Sequence, residues 1–425
     1  MTQYVVSTGT LIVGLGSQLV AFIVLARYLG TSQFGQLMTI LAATSLAAQI
    51  CGIGCSEAMI RRVARKPTSY PAVLGHSLIL ILSSGIALTL LTAFALVFFI
   101  HATANFFENL GIVLIFAFSN IVLFQWIALT ESIFLARHQL MHANMVNAGF
   151  AVWRSVATLL ACVAFGVDQL ESWAVWYGFI HLIGGVACIA AVWQYGAPQW
   201  RVLREEIRLG FHFTTPLFLD ALRQNVDLLA LNGVVTTAAI GLYSAASRIV
   251  LTSLVTVNSF YRLLYPHLSV AGQGGASTTF RLAVRYVILA TGLSAATSLA
   301  LFIVAPYLAI LFGKDFGDMV LYIRVLCWLL ILVAIKNAAY DALGAAEKHG
   351  IRAAVYNTGV IVSAILIVGL TRLYGLPGTF AALFISHALV AVSLWITLFA
   401  LSRRETRLDL KDGRLNTSSE LEPLL

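Results

Sequence analysis

The sequence predicts an all-α membrane protein with about twelve transmembrane helices, and three observations support this fold class. First, the 425 residues are 60% hydrophobic and only 10% charged, whereas a soluble domain keeps about 25% charged residues on its surface. Second, the apolar residues gather in runs of the roughly 20 residues that a helix needs to cross a bilayer. Third, nearly all of the basic residues between these runs lie in alternate loops, as in multi-pass membrane proteins.

Twelve apolar runs are long enough to span, and each is predicted to be a helix because none shows the alternating pattern of a barrel strand. The predicted spans are 4–28, 34–58, 72–100, 108–134, 143–166, 171–195, 210–233, 237–262, 284–312, 318–344, 352–371 and 376–401. The first run is too long for a cleavable signal peptide and lacks a charged segment before it. The loops are too short for a soluble catalytic domain.

The basic residues of the loops predict the orientation of the chain. Seventeen of them follow even-numbered spans, whereas the alternate loops hold only Lys314 and Arg372. Because cytoplasmic loops carry the excess of Lys and Arg, both termini are predicted to be cytoplasmic in a bacterial inner membrane. This distribution accounts for the net charge of +8 without a nucleic-acid partner.

Neither a cofactor nor an enzymatic reaction is predicted. The chain lacks a Walker lysine motif, a dinucleotide fingerprint, a zinc pattern and the context of a catalytic triad. Its cysteines lie in apolar runs without zinc or redox spacing, and they are interpreted as small packing residues: Cys51, Cys55, Cys162, Cys188 and Cys327.

The two halves of the chain resemble each other at a shift of slightly more than 200 residues. A shift of 210 aligns Glu131-Ser132 with Asp341-Ala342, and Asn147-Ala148-Gly149 with Asn357-Thr358-Gly359. A shift of 206 aligns Thr31 with Thr237, Gly35 with Gly241, and His181 with His387. A shift of 205 aligns Phe179-Ile180 with Phe384-Ile385. Small residues and turns recur in any helical membrane protein, which is the alternative explanation. The matches favour a duplication, and six spans per half make the repeats parallel. We therefore predict a six-helix lobe at 1–200, a second at 201–402, and a polar, disordered cytoplasmic tail at 403–425.

Four segments carry a resemblance to a known family. They are residues 26–35 (ARYLGTSQFG), 225–229 (NVDLL) followed by 240–249 (IGLYSAASRI), 311–316 (LFGKDF) and 357–359 (NTG). In order and spacing they resemble the polysaccharide (O-antigen and exopolysaccharide) flippases of the multidrug/oligosaccharidyl-lipid/polysaccharide exporter superfamily, over nearly the whole chain. The chain lacks the two extra spans of the lipid II flippases.

The resemblance implies a substrate and a mechanism. The substrate would be a polyprenyl-pyrophosphate-linked oligosaccharide that moves from the cytoplasmic to the outer leaflet, with membrane lipid around it and a polysaccharide polymerase as a suggested protein partner. Two six-helix lobes would line a cationic lumen and work by alternating access. A secondary mechanism would be driven by an ion gradient or by substrate mass action.

Cations inside the predicted spans are the candidate ligands of the substrate's pyrophosphate. An ionisable side chain at membrane depth costs about 2.5–3.5 kcal/mol on insertion scales, so each requires a reason. Guanidinium groups bind phosphate oxygens bidentately and stay charged when desolvated. The candidates are Arg154, Arg223, Arg248, Arg324 and Lys336. Arg324 and Lys336 are twelve positions apart on one span, so they need not share a face.

Three charged residues of the predicted seventh span share one helical face. Asp220, Arg223 and Asp227 recur at i, i+3 and i+7. In one interpretation, Arg223 binds phosphate when the acids release it, and Asp220 or Asp227 accepts a coupling proton or sodium ion. In the other, the trio is an intrahelical ion pair that only allows the span to insert into the membrane. Glu131 and Asp341 are interpreted as solvated or structurally paired acids.

Three functions remain open from the sequence. The flippase is favoured by the ordered motifs, the span count and the internal cations. A small-molecule exporter of the same superfamily is the first alternative, although cationic drugs would need a more acidic lumen. A membrane glycosyltransferase or polymerase would need a sizeable loop or tail domain with positioned acids, which the chain lacks.

Overall fold

The computed structural model describes residues 2–99 and 106–411, with side chains over 16–98 and 110–407. Within these ranges all of the regular secondary structure is helical. The α-helices are α1 (Thr2–Ile50), α2 (Cys55–Arg65), α3 (Tyr70–Phe99), α4 (Phe106–Phe118), α5 (Phe124–Ala136), α6 (Leu140–Leu159), α7 (Leu170–Val192), α8 (Arg204–Leu231), α9 (Thr237–Gly272), α10 (Gly275–Phe312), α11 (Met319–Leu326), α12 (Leu329–Ala345) and α13 (His349–Lys411). The last residue of the predicted third span, residue 100, and the tail from 412 onward lie outside the described residues.

The predicted all-α membrane fold is confirmed. Nine helical segments of the described chain are long and apolar enough to cross a membrane. Two of them, Gly16–Arg65 and His349–Arg407, each hold two predicted spans, because the chain bends at a glycine instead of ending the helix. Gly30 has φ 69° and Gly375 has φ 64°, a region that residues with a side chain rarely adopt. The one predicted span outside these nine segments is the seventh, 210–233, which corresponds to α8; its charged residues exclude it from a count by composition.

The expected disorder after Leu401 is wrong for the part of the tail that the structure describes, because α13 continues to Lys411. Glu405 provides the reason. Its carboxylate accepts a hydrogen bond from the Ala276 N–H at the start of α10 and lies 3.2 Å from the Lys348 ammonium group. These contacts hold the last turns of α13 against α10 and against the loop that precedes α13, so the helix continues beyond the predicted membrane-spanning residues.

The chain divides into two compact units. Unit 1 comprises Met1–Ser244 and Ala309–Gly317, and unit 2 comprises Ala245–Leu308 and Asp318–Leu425. Unit 1 has a core around Cys51, Met59, Tyr70, Ile121 and Ile133, and unit 2 has one around Ala339, Leu343, Val390, Leu394 and Leu398. The lobe boundary at 200/201 rests on the internal repeat and stays a prediction.

Two helix pairs at equivalent places in the repeat make equivalent contacts. In unit 1, α5 packs on α6, and the ring of His142 stacks on that of Phe134 at 5.4 Å. At a shift of 210, α12 packs on α13 in unit 2, and the guanidinium of Arg352 lies against Gly344. The agreement supports the register of 210 residues for this part of the repeat.

Ion pairs of Glu206 link the start of α8 to α2 within unit 1. The side chain of Glu206 is only 5% exposed and accepts hydrogen bonds from Arg61 and, at 2.8 Å, from Arg62. One turn later Gly210 lies so close to the Ile53 carbonyl that a Cβ would overlap it. The ion pairs and this close backbone contact together fix where α8 begins.

Replacing Glu206 by glutamine should destabilise the protein without changing its fold. Removing the carboxylate leaves two half-buried arginines without their shared acceptor charge, which should lower the free energy of unfolding by about 1–3 kcal/mol. Thermal unfolding of the purified protein in detergent measures the change. The exposed neighbour Glu205→Gln is the matched control. Equal melting temperatures for the two variants would show that the Glu206 pairs contribute nothing to stability.

Candidate functional site

On α8, Asp220 and Arg223 form an ion pair at the side of the helix. Arg223 Nη2 lies 2.9 Å from Asp220 Oδ1, and Gln224 Nε2 donates to Asp220 Oδ2 at 2.7 Å. The side chains are 30% exposed for Arg223 and 49% for Asp220. A pair this exposed contributes only about 0.3–0.5 kcal/mol. Asp220 therefore holds the guanidinium in place weakly, and a phosphate could compete for it.

Asp227 has a different environment from Asp220, although both are on the same helical face. It is buried, and it accepts hydrogen bonds from the Tyr243 hydroxyl of α9 and, at 2.9 Å, from the Leu228 N–H. Tyr243 is itself fully buried. The trio predicted from the sequence thus consists of an accessible pair and a buried acid that faces α9. A buried carboxylate has a strong reason to bind a cation or a proton, because either relieves its loss of hydration.

Arg154 is the third charged candidate in unit 1, on α6. Its Cζ lies 6.0 Å from the centroid of the Phe150 ring, and the centroid of that ring is 5.2 Å from that of the His181 ring of α7. His181 is fully buried, with Nδ1 2.8 Å from the Tyr177 carbonyl oxygen. Arg154 therefore takes part in an aromatic group with α7, whereas Arg223 contacts acceptors of its own helix.

In unit 2 the remaining candidates lie on three different helices. Arg248 is exposed on α9. Arg324, on α11, has its Cζ 4.8 Å from the Phe302 ring centroid, and its Nε lies 3.4 Å from the Phe302 carbonyl oxygen. Lys336 is on α12 and is directed towards Tyr356 of α13. Arg324 and Lys336 thus contact different helices, as their separation of twelve positions allows.

Lys336 belongs to a group of neighbouring side chains that the sequence analysis did not predict to be in contact. Its Nζ lies 5.6 Å from the Tyr356 ring centroid, and Arg352 Cζ lies 4.5 Å from the Tyr340 ring centroid. The two tyrosine rings are 5.2 Å apart. We call Lys336, Tyr340, Arg352 and Tyr356 the cation–tyrosine cluster. The signal in the sequence is a cation followed by tyrosine at i+4 on both helices, but Arg352, as one of the seventeen basic residues that follow even-numbered spans, is not a candidate ligand by its position.

The described residues offer cations and rings but no metal centre. No group of three or more His, Cys, Asp or Glu side chains in this part of the chain could hold a metal ion. The charged side chains are instead basic groups on α6, α8, α9, α11 and α12, with acids beside some of them. Basic side chains of this kind can each bind an oxygen of an anionic head group.

One family profile matches the chain. The family is described as "Polysaccharide biosynthesis protein", and the match covers residues 4–271. A search of curated proteins finds no match.

Several solved structures are similar to the whole chain. A multidrug resistance MATE family transporter of the MOP superfamily, in an inward-facing conformation, has a TM-score of 0.74 at 16% identity, covering 96% of this chain and 99% of its own. A MOP superfamily transporter from Pyrococcus furiosus has a TM-score of 0.57 at 18% identity, with coverage of 93% and 94%. A MATE transporter of Vibrio cholerae has a TM-score of 0.55 at 16% identity, with coverage of 95% and 99%. At these identities the likeness shows the fold alone.

Proposed function

Since the chain belongs to the polysaccharide biosynthesis protein family, we propose that it is a flippase for a polyprenyl-pyrophosphate-linked oligosaccharide. The oligosaccharide moves from the cytoplasmic to the outer leaflet of the bacterial inner membrane, for the assembly of O-antigen or an exopolysaccharide. Movement occurs by alternating access, as in other transporters built from internal repeats. Both termini of the chain are cytoplasmic, and a polysaccharide polymerase is the expected consumer of the product.

The observation that carries the proposal is the set of cations at membrane depth on a transporter fold. Arg154, Arg223 and Arg324 are partly buried, Arg248 is exposed, and Lys336 is buried. Each is expensive to keep in a span, and a ligand with two phosphates supplies the opposite charge. We assign these five residues to the binding of the head group. The Pyrococcus furiosus neighbour is described as having a binding pocket of reversed polarity that suggests a different function, so pocket polarity varies within this fold.

Asp220 and Asp227 are the groups we assign to coupling. The carboxylate of Asp220 competes with phosphate for Arg223, because both bind the same guanidinium. A proton or a sodium ion on an acid of α8 would weaken its attraction for Arg223 and leave that residue to the substrate. Loss of the ion would reverse the exchange and favour release.

Deleting the gene should trap the complete lipid-linked oligosaccharide in the cytoplasmic leaflet. An impermeant sugar-modifying reagent, applied to spheroplasts and to inverted vesicles, measures the amount in each leaflet. The deletion strain should show the oligosaccharide only in inverted vesicles, and a plasmid copy of the gene should restore the signal in spheroplasts. An unchanged distribution, in a strain without a second flippase, would refute the flippase proposal.

The second candidate is export of a small molecule. It is favoured by the similarity to structures described as multidrug transporters. Increased sensitivity of the deletion strain to cationic drugs, with a normal leaflet distribution of oligosaccharide, would support this function instead.

A further inference from the structure

Unit 2 carries an open apolar groove between α10, α12 and α13. Its volume is about 490 Å³, within the range of about 300–1,000 Å³ that small-molecule sites occupy. It is lined by apolar side chains and one threonine: Val284, Val287, Ile288, Thr291, Ile335 and Trp395. The four residues from α10 recur at i, i+3, i+4 and i+7, so they share one face of that helix.

The groove lies on a helix that is both apolar and largely uncovered. In the most apolar stretch of α10 only 17% of the residues are buried, the lowest share among the nine membrane-crossing segments of the described chain. Ile288, in the middle of the groove, is 67% exposed. An apolar surface of this kind at membrane depth is covered by lipid acyl chains.

Aromatic rings connect this groove to an arginine beyond its end. The ring centroid of Trp395 lies 6.0 Å from that of Phe280, which lies 5.6 Å from that of Phe399. Arg403 Cζ in turn lies 4.5 Å from the centroid of the Phe399 ring. Trp395, Phe399 and Arg403 recur every four residues, so they form a stripe about 12 Å long on α13.

A second arginine lies at the same end of the groove, on α10. Arg281 is exposed and precedes Val284 of the groove by three residues, which makes the two side chains neighbours on the helix surface. The N–H of Ala276, at the start of α10, donates to Glu405, near the end of α13. The two helices are therefore antiparallel here, and Arg281 and Arg403 both lie towards the predicted cytoplasmic end.

The charge at this end of the groove is positive. Neither Arg281 nor Arg403 forms an ion pair with an acid in the part of the chain that the structure describes. Glu405, two residues after Arg403, instead lies 3.2 Å from the Lys348 ammonium group. Basic side chains beside membrane helices on the cytoplasmic side attract anionic lipid head groups. The groove and the two arginines together match a molecule with an acyl chain and a negative head group.

The stripe on α13 has no counterpart in the repeat. At the shift of 205 that aligns Phe179-Ile180 with Phe384-Ile385, its three positions correspond to Ala190, Gln194 and Pro198. The equivalent helix α7 ends at Val192, before the position that corresponds to Phe399. The rings and the cation are thus specific to unit 2, and the helix packing of the repeat does not require them.

We propose that this groove binds one anionic glycerophospholipid of the cytoplasmic leaflet. Its acyl chain lies along α10 against Trp395, and its phosphodiester lies between Arg281 and Arg403. The indole N–H of Trp395 is donated to the Ile335 carbonyl oxygen at 2.9 Å, which leaves the apolar part of the ring for the chain. The inference goes beyond the proposed function and does not depend on it, because the bound phospholipid is a resident of unit 2 and not the transported substrate.

Quenching of Trp395 by brominated lipid tests the site, because bromine on an acyl chain quenches the tryptophans that it contacts. The full-length protein is placed in phosphatidylcholine vesicles with a rising fraction of brominated phosphatidylglycerol. The Trp395 signal is the difference between the wild-type protein and Trp395→Phe. Half-quenching should occur at a mole fraction at least about ten-fold lower than with brominated phosphatidylcholine, since two cations favour the anionic lipid.

The arginine variants identify the head-group site. Arg281→Gln and Arg403→Gln should each raise the mole fraction of half-quenching about five-fold, the effect of one cation at an anionic membrane surface. Arg403→Lys should raise it less because it keeps the charge. Arg404→Gln is the matched control: it removes the same charge from the next residue, which is also exposed but lies about 100° around the helix from the stripe. It should leave the curve unchanged.

Two results would overturn the site. One is equal quenching by the anionic and the zwitterionic brominated lipid. The other is an equal shift for Arg403→Gln and Arg404→Gln, which would show only a general attraction of the basic surface. If Trp395→Phe fails to fold, mass spectrometry of the purified protein decides. The wild-type protein should retain one phosphatidylglycerol that the Arg281→Gln, Arg403→Gln double variant loses, and equal retention would refute the site. Neither measurement involves export, so the leaflet experiment tests the flippase separately.

Discussion

Replacing Arg248 by glutamine is expected to lower oligosaccharide export at least about ten-fold, the effect of losing a bidentate contact to phosphate. Arg248 is eleven residues after the start of α9, which places it about 16 Å along the helix and near the middle of the predicted span. Its side chain is exposed. Because glutamine is easier to insert than arginine, the amount of protein in the membrane should not fall.

Arg262→Gln provides the matched control for Arg248→Gln. The two arginines are on the same helix, both are exposed, and they are fourteen residues apart. Fourteen residues correspond to about 21 Å along the axis and return to within about 40° of the same face. Arg262 is near the predicted cytoplasmic end, where its side chain can reach water, so its replacement should leave export nearly unchanged. Normal export by Arg248→Gln would remove Arg248 from the site.

The helices could be predicted from the sequence because a bilayer leaves the chain few alternatives. A run of about 20 apolar residues in lipid must satisfy its own backbone hydrogen bonds, and a helix does this locally. What hydropathy did not show is that α1 and α13 continue through bends at Gly30 and Gly375. The order of the tail was also missed, because it depends on Glu405 reaching the start of α10, 129 residues away in sequence.

The candidate cations were visible in the sequence because any charge within an apolar run stands out, but their partners were not. The helical face shared by Asp220 and Asp227 is real, yet only Asp227 is covered, by Tyr243 from another helix. Likewise the contact between Arg352 and Tyr340 depends on how α13 packs on α12. Periodicity gives the direction of a side chain on its own helix, and tertiary packing decides what it meets.

Two repeat-related segments of unit 1 cross at glycines near the predicted outer ends of their spans. A Cβ on Gly35 would overlap the Thr237 carbonyl oxygen, and a Cβ on Gly241 would overlap the Thr31 carbonyl oxygen. The contact is thus reciprocal, as expected for equivalent positions of a parallel repeat. Beside it, Ser32 Oγ and Thr237 Oγ1 are 2.8 Å apart.

Cysteines at positions 32 and 237 should therefore form a disulfide on oxidation, since the hydroxyl oxygens they replace are 2.8 Å apart and an S–S bond of about 2.05 Å requires only a small further approach. The oxidised Ser32→Cys, Thr237→Cys protein should export at least about ten-fold more slowly, because position 32 belongs to the predicted lobe 1–200 and position 237 to the predicted lobe 201–402, and alternating access would require the outer ends of these two lobes to separate. A reductant should restore export, and each single cysteine variant should remain active under oxidation. Export at the normal rate with the disulfide formed would show that this crossing stays closed throughout transport, and the opening would then have to occur between other helices.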